Sequence, residues 1–236
     1  MKKITILAVG AHPDDIELLC AGTLAKCADR GDKVAMAYVT NGNMGHYRIP
    51  PPELARIREK EAREAAAVIG AEVIWVGLPD EVVFDDQETR LKIVDAIRAS
   101  KPDLIVTHYP HDYHPDHRMT SKLVFDASFV CTIPHIKTKH SFHERVVPIA
   151  YMDTLAGLGF LPDTYVDITD TFEKKKEMLS KHVSQITWLK EHDKIDLIDF
   201  MKTVAAFRGL QCNARYAEGF RMLETWPRML SKRLLP

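Results

Sequence analysis

The chain has 236 residues, of which 46% are apolar, so it is long enough to bury a full hydrophobic core. Its 32 lysines and arginines are balanced by 33 aspartates and glutamates, which leaves a formal net charge of -1. Because there is no broad basic field, we expect neither nucleic acid nor an anionic membrane as a partner.

The cysteines and the amino terminus bear on where the protein works. Four cysteines are scattered without a C-x-x-C pair, which is typical of a reducing compartment. The opening MKKITILAVGA mimics a short signal peptide, but its apolar run is at the short limit, and a buried first strand is the favoured interpretation. No apolar run approaches the length of a membrane span. We therefore expect a soluble, cytoplasmic protein.

Strand and helix patterns alternate in the first part of the chain. The apolar runs ITILAVG, KVAMAYVT, EVIWVGL and DLIVTHY predict four strands. The amphipathic stretches that follow them predict helices over residues 17–30, 53–69, 89–100 and 117–130. This alternation predicts an α/β fold of the Rossmann-like, doubly wound kind, with a mainly parallel sheet flanked by helices.

After residue 131 the pattern loosens. The runs VVPIAYMD and TYVDIT predict two further strands, and helical patterns cover residues 171–185 and 196–207. We interpret this part as a C-terminal α/β extension. Since no clear boundary or low-complexity linker interrupts the chain, we predict a single domain over residues 1–236.

The turn after the first strand reads AHPDD, where a dinucleotide-binding fold would carry closely spaced glycines. Two carboxylates, Asp14 and Asp15, stand side by side in this turn. Neighbouring anions repel each other, so a fold that concentrates them normally places a compensating charge nearby. A bound cation would provide that charge, with His12 as a further ligand.

A second polar cluster, HYPHDYHPDHR at residues 108–118, follows the fourth predicted strand. It holds four of the chain's eleven histidines. A histidine pair in a loop is more often solvated than metal-bound, and an aspartate before a helix is more often a cap. The first and fourth strands, however, commonly flank the ligand crevice of an open parallel sheet, so the two clusters are expected to face each other. Together they favour a catalytic metal site with an open coordination position.

These motifs resemble the LmbE-like, or PIG-L, family of zinc-dependent deacetylases. AHPDD and HPDH follow the first and fourth strands, and five other segments resemble family segments in the same order, namely AGTLAKCADRGDKV, VTNG, REKEAREAAAVIG, HVSQ and YAEGF. The resemblance implies a hydrolase that removes the acetyl group from a small N-acetylated amino sugar, N-acetylglucosamine or a conjugate of it.

The resemblance also implies a metal centre. His12, Asp15 and His117 fall on the family's zinc ligands, which implies one Zn²⁺ per chain, with Fe²⁺ as the alternative ion. Asp14 falls on the general base that takes a proton from the zinc-activated water. The two neighbouring carboxylates are thereby expected to have different roles, one as a ligand and the other as a base.

Further roles are implied for residues around this centre. His114 falls on the histidine that helps to stabilise the oxyanion or to protonate the leaving amine, and Asp116 is expected to fix the tautomer of His114. Arg58 matches the family's arginine near the substrate, although Arg56 could exchange roles with it. For both arginines the alternative is a solvated helix face paired with nearby glutamates.

Several alternatives stay open. Within hydrolases, the alternative is an amidase acting on a thiol-sugar conjugate or another amide, and outside them a zinc-binding protein without turnover. Relatives often form dimers or hexamers, so we expect a homo-oligomer. His135, His140 and His143 fit no strong ligand motif, and a polar loop over the active-site mouth is favoured over a second metal site.

Four other side chains are candidates for a structural or binding role. His182 in HVSQ and Glu218 in YAEGF are expected to hold the C-terminal segment against the core. Tyr113 and Trp188 are candidates for stacking on a sugar ring, although an aromatic side chain at such a position is more often part of the packing.

Overall fold

The structure is a computed structural model that describes residues 3–229. Within this range the strands are β1 Thr5–Gly10, β2 Lys33–Thr40, β3 Glu72–Leu78, β4 Leu104–Thr107, β5 Ile149–Met152, β6 Thr164–Asp167 and β7 Ala217–Met222. The α-helices are α1 Asp15–Leu19, α2 Ala21–Asp29, α3 Pro51–Ala67, α4 Gln87–Ser100, α5 Pro115–Val130, α6 Phe172–Ser180, α7 Val183–His192 and α8 Leu197–Gln211.

The seven strands form one sheet in the order β3-β2-β1-β4-β5-β7-β6. The first five in this order pair in parallel, and β7 pairs antiparallel with both β5 and β6. The prediction of an α/β fold with a mainly parallel sheet and a C-terminal α/β extension is confirmed. Because β1 and β4 are neighbours with Val9 opposite Thr107, the turns that follow them lie side by side.

The sheet separates two hydrophobic cores. Along β1, Ile6 and Ala8 pack on one face, while Leu7 and Val9 pack on the other, and all four are at most 1% exposed. The first core includes side chains of α2, α3, α6 and α8, and the second includes side chains of α4 and α5. A strand covered on both faces needs apolar residues at every position, which explains the continuous apolar runs in the sequence.

The predicted helix over residues 17–30 is two helices. The chain leaves helical geometry at Cys20, with φ -146° and ψ 5°, and α2 starts directly after it. The Glu218 carboxylate accepts hydrogen bonds from the N–H groups of Gly22 at 2.9 Å and Thr23 at 2.7 Å. A side chain from the far end of the sequence therefore satisfies donors in the first turn of α2.

The predicted helix over residues 171–185 is likewise interrupted, between α6 and α7. His182 lies in the gap with its ring buried, and a ring nitrogen is 3.2 Å from Glu17 Oε1. The buried Lys175 on α6 contacts Glu218 Oε1 at 2.5 Å. The expectation that His182 and Glu218 hold the C-terminal segment against the core is confirmed.

The sequence pattern did not predict strand β7, because YAEGF resembles a family signature but lacks an apolar strand run. It pairs on both sides and so joins β6 to the parallel part of the sheet. Within residues 3–229, no helix is both long and apolar enough to cross a bilayer. Met1 and Lys2, the start of the signal-like pattern, lie outside the described residues, and the single domain over residues 1–236 stays a prediction.

Candidate active site

The turn after β1 brings the two neighbouring carboxylates to the carboxyl edge of the sheet. Asp15 Oδ2 accepts a hydrogen bond from the His12 N–H at 2.6 Å, and the Asp15 N–H donates to the His12 carbonyl at 3.3 Å. Between them, Asp14 has φ 124° and ψ -23°, which is a conformation that L-residues rarely adopt. Strained backbone of this kind costs about 1–3 kcal/mol and is concentrated at functional sites.

The carboxylate of Asp15 is surrounded by imidazole nitrogens. Its Oδ1 lies 3.2 Å from His117 Nε2, and its Oδ2 lies 3.3 Å from His12 Nδ1 and 3.2 Å from His108 Nε2. Ligand-type atoms of His12, His114 and His117 lie within 4.8 Å of one another, as do those of Asp15, His108 and His117. This His/Asp cluster offers the nitrogen and oxygen ligands that divalent transition metals prefer.

Asp112 orients His117 from the other side. Its Oδ1 lies 3.0 Å from His117 Nδ1 and accepts a hydrogen bond from the His114 N–H at 2.9 Å. Burial disfavours a charged His117, but Asp15 and Asp112 outweigh it and raise the pKa of His117 to about 9. Burial likewise opposes ionisation of Asp15, but His117 and then His108 hold its pKa well below the usual range. Asp112 was not predicted as a site residue, although it lies within the histidine cluster.

Asp116 does not support His114 in the expected way. Its Oδ2 lies 3.3 Å from His12 Nε2 and accepts a hydrogen bond from the Glu81 N–H at 2.8 Å. The contact with His114 comes from the Asp116 backbone, whose N–H donates to His114 Nδ1 at 3.2 Å. The prediction of a carboxylate contact is wrong, because His114 caps α5 and its ring accepts the hydrogen bond of a single helical N–H, that of Asp116.

This cap still fixes the tautomer of His114. Since Nδ1 accepts a hydrogen bond, a neutral ring carries its proton on Nε2, which lies 3.3 Å from Glu81 Oε1. Burial, followed by the nearby His12 and His117, lowers the pKa of His114 and favours this neutral form. Glu81 was not predicted as a site residue, and it has a left-handed φ of 65°.

Asp14 has an environment unlike that of Asp15. The residue is 5% exposed and its side chain makes no capping hydrogen bond to α1. Burial, with a second contribution from the charge of Asp15, raises its pKa to about 7. A carboxyl group with a pKa near neutrality is suited to proton transfer.

These groups line a cavity of about 350 Å³, within the size range of small-molecule sites. The polar part of its lining includes a single arginine, Arg58, and the four carboxylates of Asp14, Asp15, Asp80 and Glu81. The apolar part of its lining consists of Leu18, Met44, Leu155, Leu189, Ile195, Leu197 and Phe200.

The two arginines, Arg56 and Arg58, lie in different surroundings. Arg58 is 3% exposed and lines the cavity, whereas Arg56 is exposed and donates only to the Pro52 carbonyl at 3.3 Å. The Arg58 Nη2 donates to the Gly45 carbonyl at 3.1 Å and to the side-chain oxygen of Gln185. Arg58 thus joins the loop after β2 to helix α7 at the cavity wall.

The expectation that the segment with His135, His140 and His143 covers the active-site mouth is wrong. The ring of His143 donates to the Pro102 carbonyl at 2.9 Å, and His140 Nδ1 lies 3.1 Å from Asp95. Pro102 precedes β4, so this segment packs at the amino ends of the parallel strands, opposite the cavity. Its histidines are absent from the possible metal clusters of residues 3–229.

The two aromatic candidates differ in position. Tyr113 is 65% exposed and lines the cavity, with its ring centroid 5.6 Å from that of His114. Trp188 does not line the cavity but packs beside it, against Tyr47 at 4.7 Å and His192 at 4.3 Å between ring centroids.

A mainly parallel sheet with facing His/Asp turns after β1 and β4 defines an α/β fold with a possible metal site at the carboxyl edge of the sheet. Residues 7–128, more than half of the chain, match the family described as PIG-L: GlcNAc-PI de-N-acetylase. The chain belongs to this family, and the resemblance inferred from its motifs is confirmed.

Known relatives cover most of the chain. The diacetylchitobiose deacetylase of Thermococcus kodakarensis is 29% identical over 231 residues, covering 92% of this chain and 82% of that protein. The 4-oxalmesaconate hydratase of Pseudomonas putida is 25% identical over 236 residues, covering 90% and 86%. The structure of N,N'-diacetylchitobiose deacetylase from Pyrococcus horikoshii with its inhibitor MPG has a TM-score of 0.80 at 29% identity, covering 93% and 83%. The relatives thus include deacetylases and a hydratase.

Proposed function

We propose that this protein is a zinc-dependent N-deacetylase that acts on a small N-acetylated amino sugar or a conjugate of it. The observation that carries the proposal is the buried carboxyl group of Asp14, which lines one cavity with His12, Asp15 and His117. A non-catalytic zinc protein would need the cluster but not a carboxyl group prepared for proton transfer.

The donor set fits a catalytic metal centre. Two imidazoles and one carboxylate, from His12, His117 and Asp15, leave a position for water or substrate on a zinc ion, with Fe²⁺ the alternative. Asp116 and Asp112 contact the second nitrogens of His12 and His117, the supporting arrangement that metal-bound histidines usually have. A metal at this position supplies a Lewis acid and lowers the pKa of the attacking water.

The protein's own residues provide the proton transfers. Asp14 accepts a proton from water as the water oxygen adds to the acetyl carbonyl. The Nε2–H of neutral His114 donates to the carbonyl oxygen, where negative charge develops. Breaking the C–N bond then requires a proton on the nitrogen, which the protonated Asp14 supplies, and the products are acetate and the free amino sugar.

The cavity charge favours a neutral amino sugar over a carboxylate substrate. With a divalent metal bound, the four carboxylates of the lining still outnumber the three positive charges of the metal and Arg58. An anionic substrate would be repelled unless several cations faced it. We propose Arg58 as a substrate-binding residue that also shapes the wall against which the sugar lies. An amidase acting on a thiol-sugar conjugate remains the alternative within the same chemistry.

The experiment is a turnover screen of protein loaded with one equivalent of zinc or iron(II). The substrates are N-acetylglucosamine, N,N'-diacetylchitobiose and a thiol-linked N-acetylglucosamine, with free amine and acetate both measured. We expect equal amounts of the two products from at least one substrate. Metal-loaded protein that turns over none of them would contradict the deacetylase proposal and favour the non-catalytic alternative.

Location and assembly complete the proposal. We propose a cytoplasmic homo-oligomer, in keeping with the scattered cysteines, which are all unpaired in the structure. Sedimentation equilibrium of the purified chain measures its mass in solution. A monomer across the concentrations used for the turnover screen would contradict the predicted oligomer.

A further inference from the structure

A buried carboxyl group lies on the helix that follows the proposed base. Glu17 is in α1, two residues after Asp15, and its side chain is fully buried. Its Oε1 accepts a hydrogen bond from the Tyr38 hydroxyl at 2.6 Å and lies 3.2 Å from His182 Nε2. Burying a carboxyl group costs free energy, and these two contacts offset part of that cost. Glu17 is outside the cavity lining, so the proposed reaction gives it no role.

Helix α1 is too short to be stable by itself. It has five residues, Asp15–Leu19, and isolated helices of that length are unstable in water. The residue before it, Asp14, has φ 124°, a strained conformation that persists only where the surrounding structure fixes it. The turn that carries Asp14 and Asp15 therefore depends on the contacts that α1 makes with the rest of the protein.

Elements from distant parts of the chain hold α1. Tyr38 is buried on β2 and donates to Glu17 from there. His182 lies between α6 and α7, and its buried ring contacts the same carboxylate oxygen. The Lys175 ammonium on α6 donates to the Leu18 carbonyl at 2.8 Å, near the C-terminal end of α1. Through its one side chain, Glu17 thus joins α1 both to the sheet and to the segment between α6 and α7.

We infer that Glu17 is a positioning residue: held by Tyr38 and His182, it fixes the helix whose first turn carries the proposed base and a proposed metal ligand. The inference rests on the proposed function for the role of Asp14 as that base. A misplacement of about 1 Å at a reacting group can cost about 10²-fold in rate. Loss of this anchor should therefore lower the rate although Glu17 does not contact the substrate.

The experiment compares Glu17→Ala with Glu17→Gln. Glutamine keeps an Oε1 that accepts the Tyr38 hydroxyl, whereas alanine removes both contacts. In Glu17→Ala we expect kcat per folded, metal-loaded molecule to fall about 10²-fold, and zinc affinity, measured by chelator competition, to fall about tenfold. Glu17→Gln should keep most of both. Tyr38→Phe, which removes only the hydroxyl group, should lower both values in the same direction as Glu17→Ala.

The matched control is Asp32→Ala, which alters a buried carboxylate away from α1. Asp32 accepts a hydrogen bond from the Ile4 N–H at 3.0 Å and precedes β2, at the amino end of the sheet. This variant should unfold at a lower urea concentration but keep the wild-type kcat and zinc affinity in its folded form. The comparison separates a loss of stability from a loss of position.

Metal-free protein provides a readout that needs no turnover. The N–H groups of Leu18 and Cys20 donate to the carbonyls of Asp14 and Ile16 at 2.9 Å, so their hydrogen exchange reports whether α1 is formed. Both amides should exchange about tenfold faster in Glu17→Ala, as expected for the loss of one buried hydrogen bond. In Asp32→Ala they should exchange at the wild-type rate.

The outcomes distinguish the inference from its alternatives. Wild-type zinc affinity, amide exchange and kcat in Glu17→Ala would overturn it. Equal losses in Glu17→Ala and Glu17→Gln would also overturn it, because the accepting oxygen would then not be what holds α1. If Glu17→Ala does not fold, Tyr38→Phe decides: lowered values support the inference and unchanged values overturn it. If wild-type protein releases no acetate, the deacetylase proposal fails, while zinc affinity and amide exchange still test the role of Glu17.

Discussion

Asparagine substitutions separate the roles of the two adjacent carboxylates. Asp14 has no part in the imidazole contacts of its neighbour, so Asp14→Asn should leave the metal ligands in place. The substitution removes the group that accepts the proton, and loss of a general base typically lowers kcat by ~10² to 10⁴. That range corresponds to about 2.7 to 5.4 kcal/mol in the activation free energy. Metal content should stay near one ion per chain.

Asp15→Asn should have a different effect. The Asp15 carboxylate lies 3.2–3.3 Å from nitrogens of three histidines and accepts the His12 N–H at 2.6 Å. Replacing the carboxylate by a neutral amide removes the negative charge that faces these rings. It also removes an anionic metal ligand. Metal affinity should therefore fall by more than the ~10- to 100-fold that follows loss of an outer partner. Excess zinc should restore part of the activity, because the base is still present.

The assay measures bound metal by plasma mass spectrometry and turnover by acetate release, each with and without added zinc. Circular dichroism spectra of both variants control for folding. If Asp14→Asn loses the metal while Asp15→Asn retains it, the assignment of ligand and base is reversed. If neither substitution affects turnover, the catalytic site lies elsewhere.

Four further predictions follow from the site and its support. A strong chelator should abolish activity and one equivalent of zinc should restore it; a need for two equivalents would contradict a single-metal site. Burial and Asp15 raise the pKa of Asp14 to about 7, and a bound cation lowers it again because it favours the carboxylate. We therefore expect kcat/KM to fall as the pH drops through a value at or below 7, where the base becomes protonated. A value of kcat/KM that stays constant at acidic pH would contradict this prediction. Glu218→Gln leaves the buried Lys175 charge unpaired and should cost about 3–5 kcal/mol in urea unfolding, and less than 1 kcal/mol would refute the reasoning. Glu81→Gln weakens the contact with His114 and should lower kcat about tenfold with metal content unchanged; loss of metal would instead make Glu81 a ligand.

The central part of the fold was predictable because its causes are local. Strand β2 matches its predicted bounds, Lys33–Thr40, since a strand buried on both faces needs an unbroken apolar run. The break at Cys20 was not predictable in the same way. It coincides with capping of α2 by Glu218, which lies nearly two hundred residues further along the chain, and no local pattern records such a contact.

The candidate site was likewise predictable only in part. The motifs AHPDD and HPDH brought His12, Asp15 and His117 to notice, and the strand order explains why their turns meet. The partners of these residues depend on side-chain direction, which spacing along the chain does not determine. Glu81 contacts His114 from a separate loop, and the Asp116 carboxylate points towards His12.

The difference between the two neighbouring aspartates follows from their surroundings, not from their sequence. Asp15 begins α1 and faces three imidazole nitrogens, so its anionic form is favoured despite burial. Asp14 is held at φ 124° before the helix, and it is buried beside the anion that they stabilise. The stabilised charge on Asp15 therefore adds to the burial that raises the pKa of Asp14. Repulsion from the charge of Asp15 therefore helps to raise the pKa of Asp14 into the range that suits a general base.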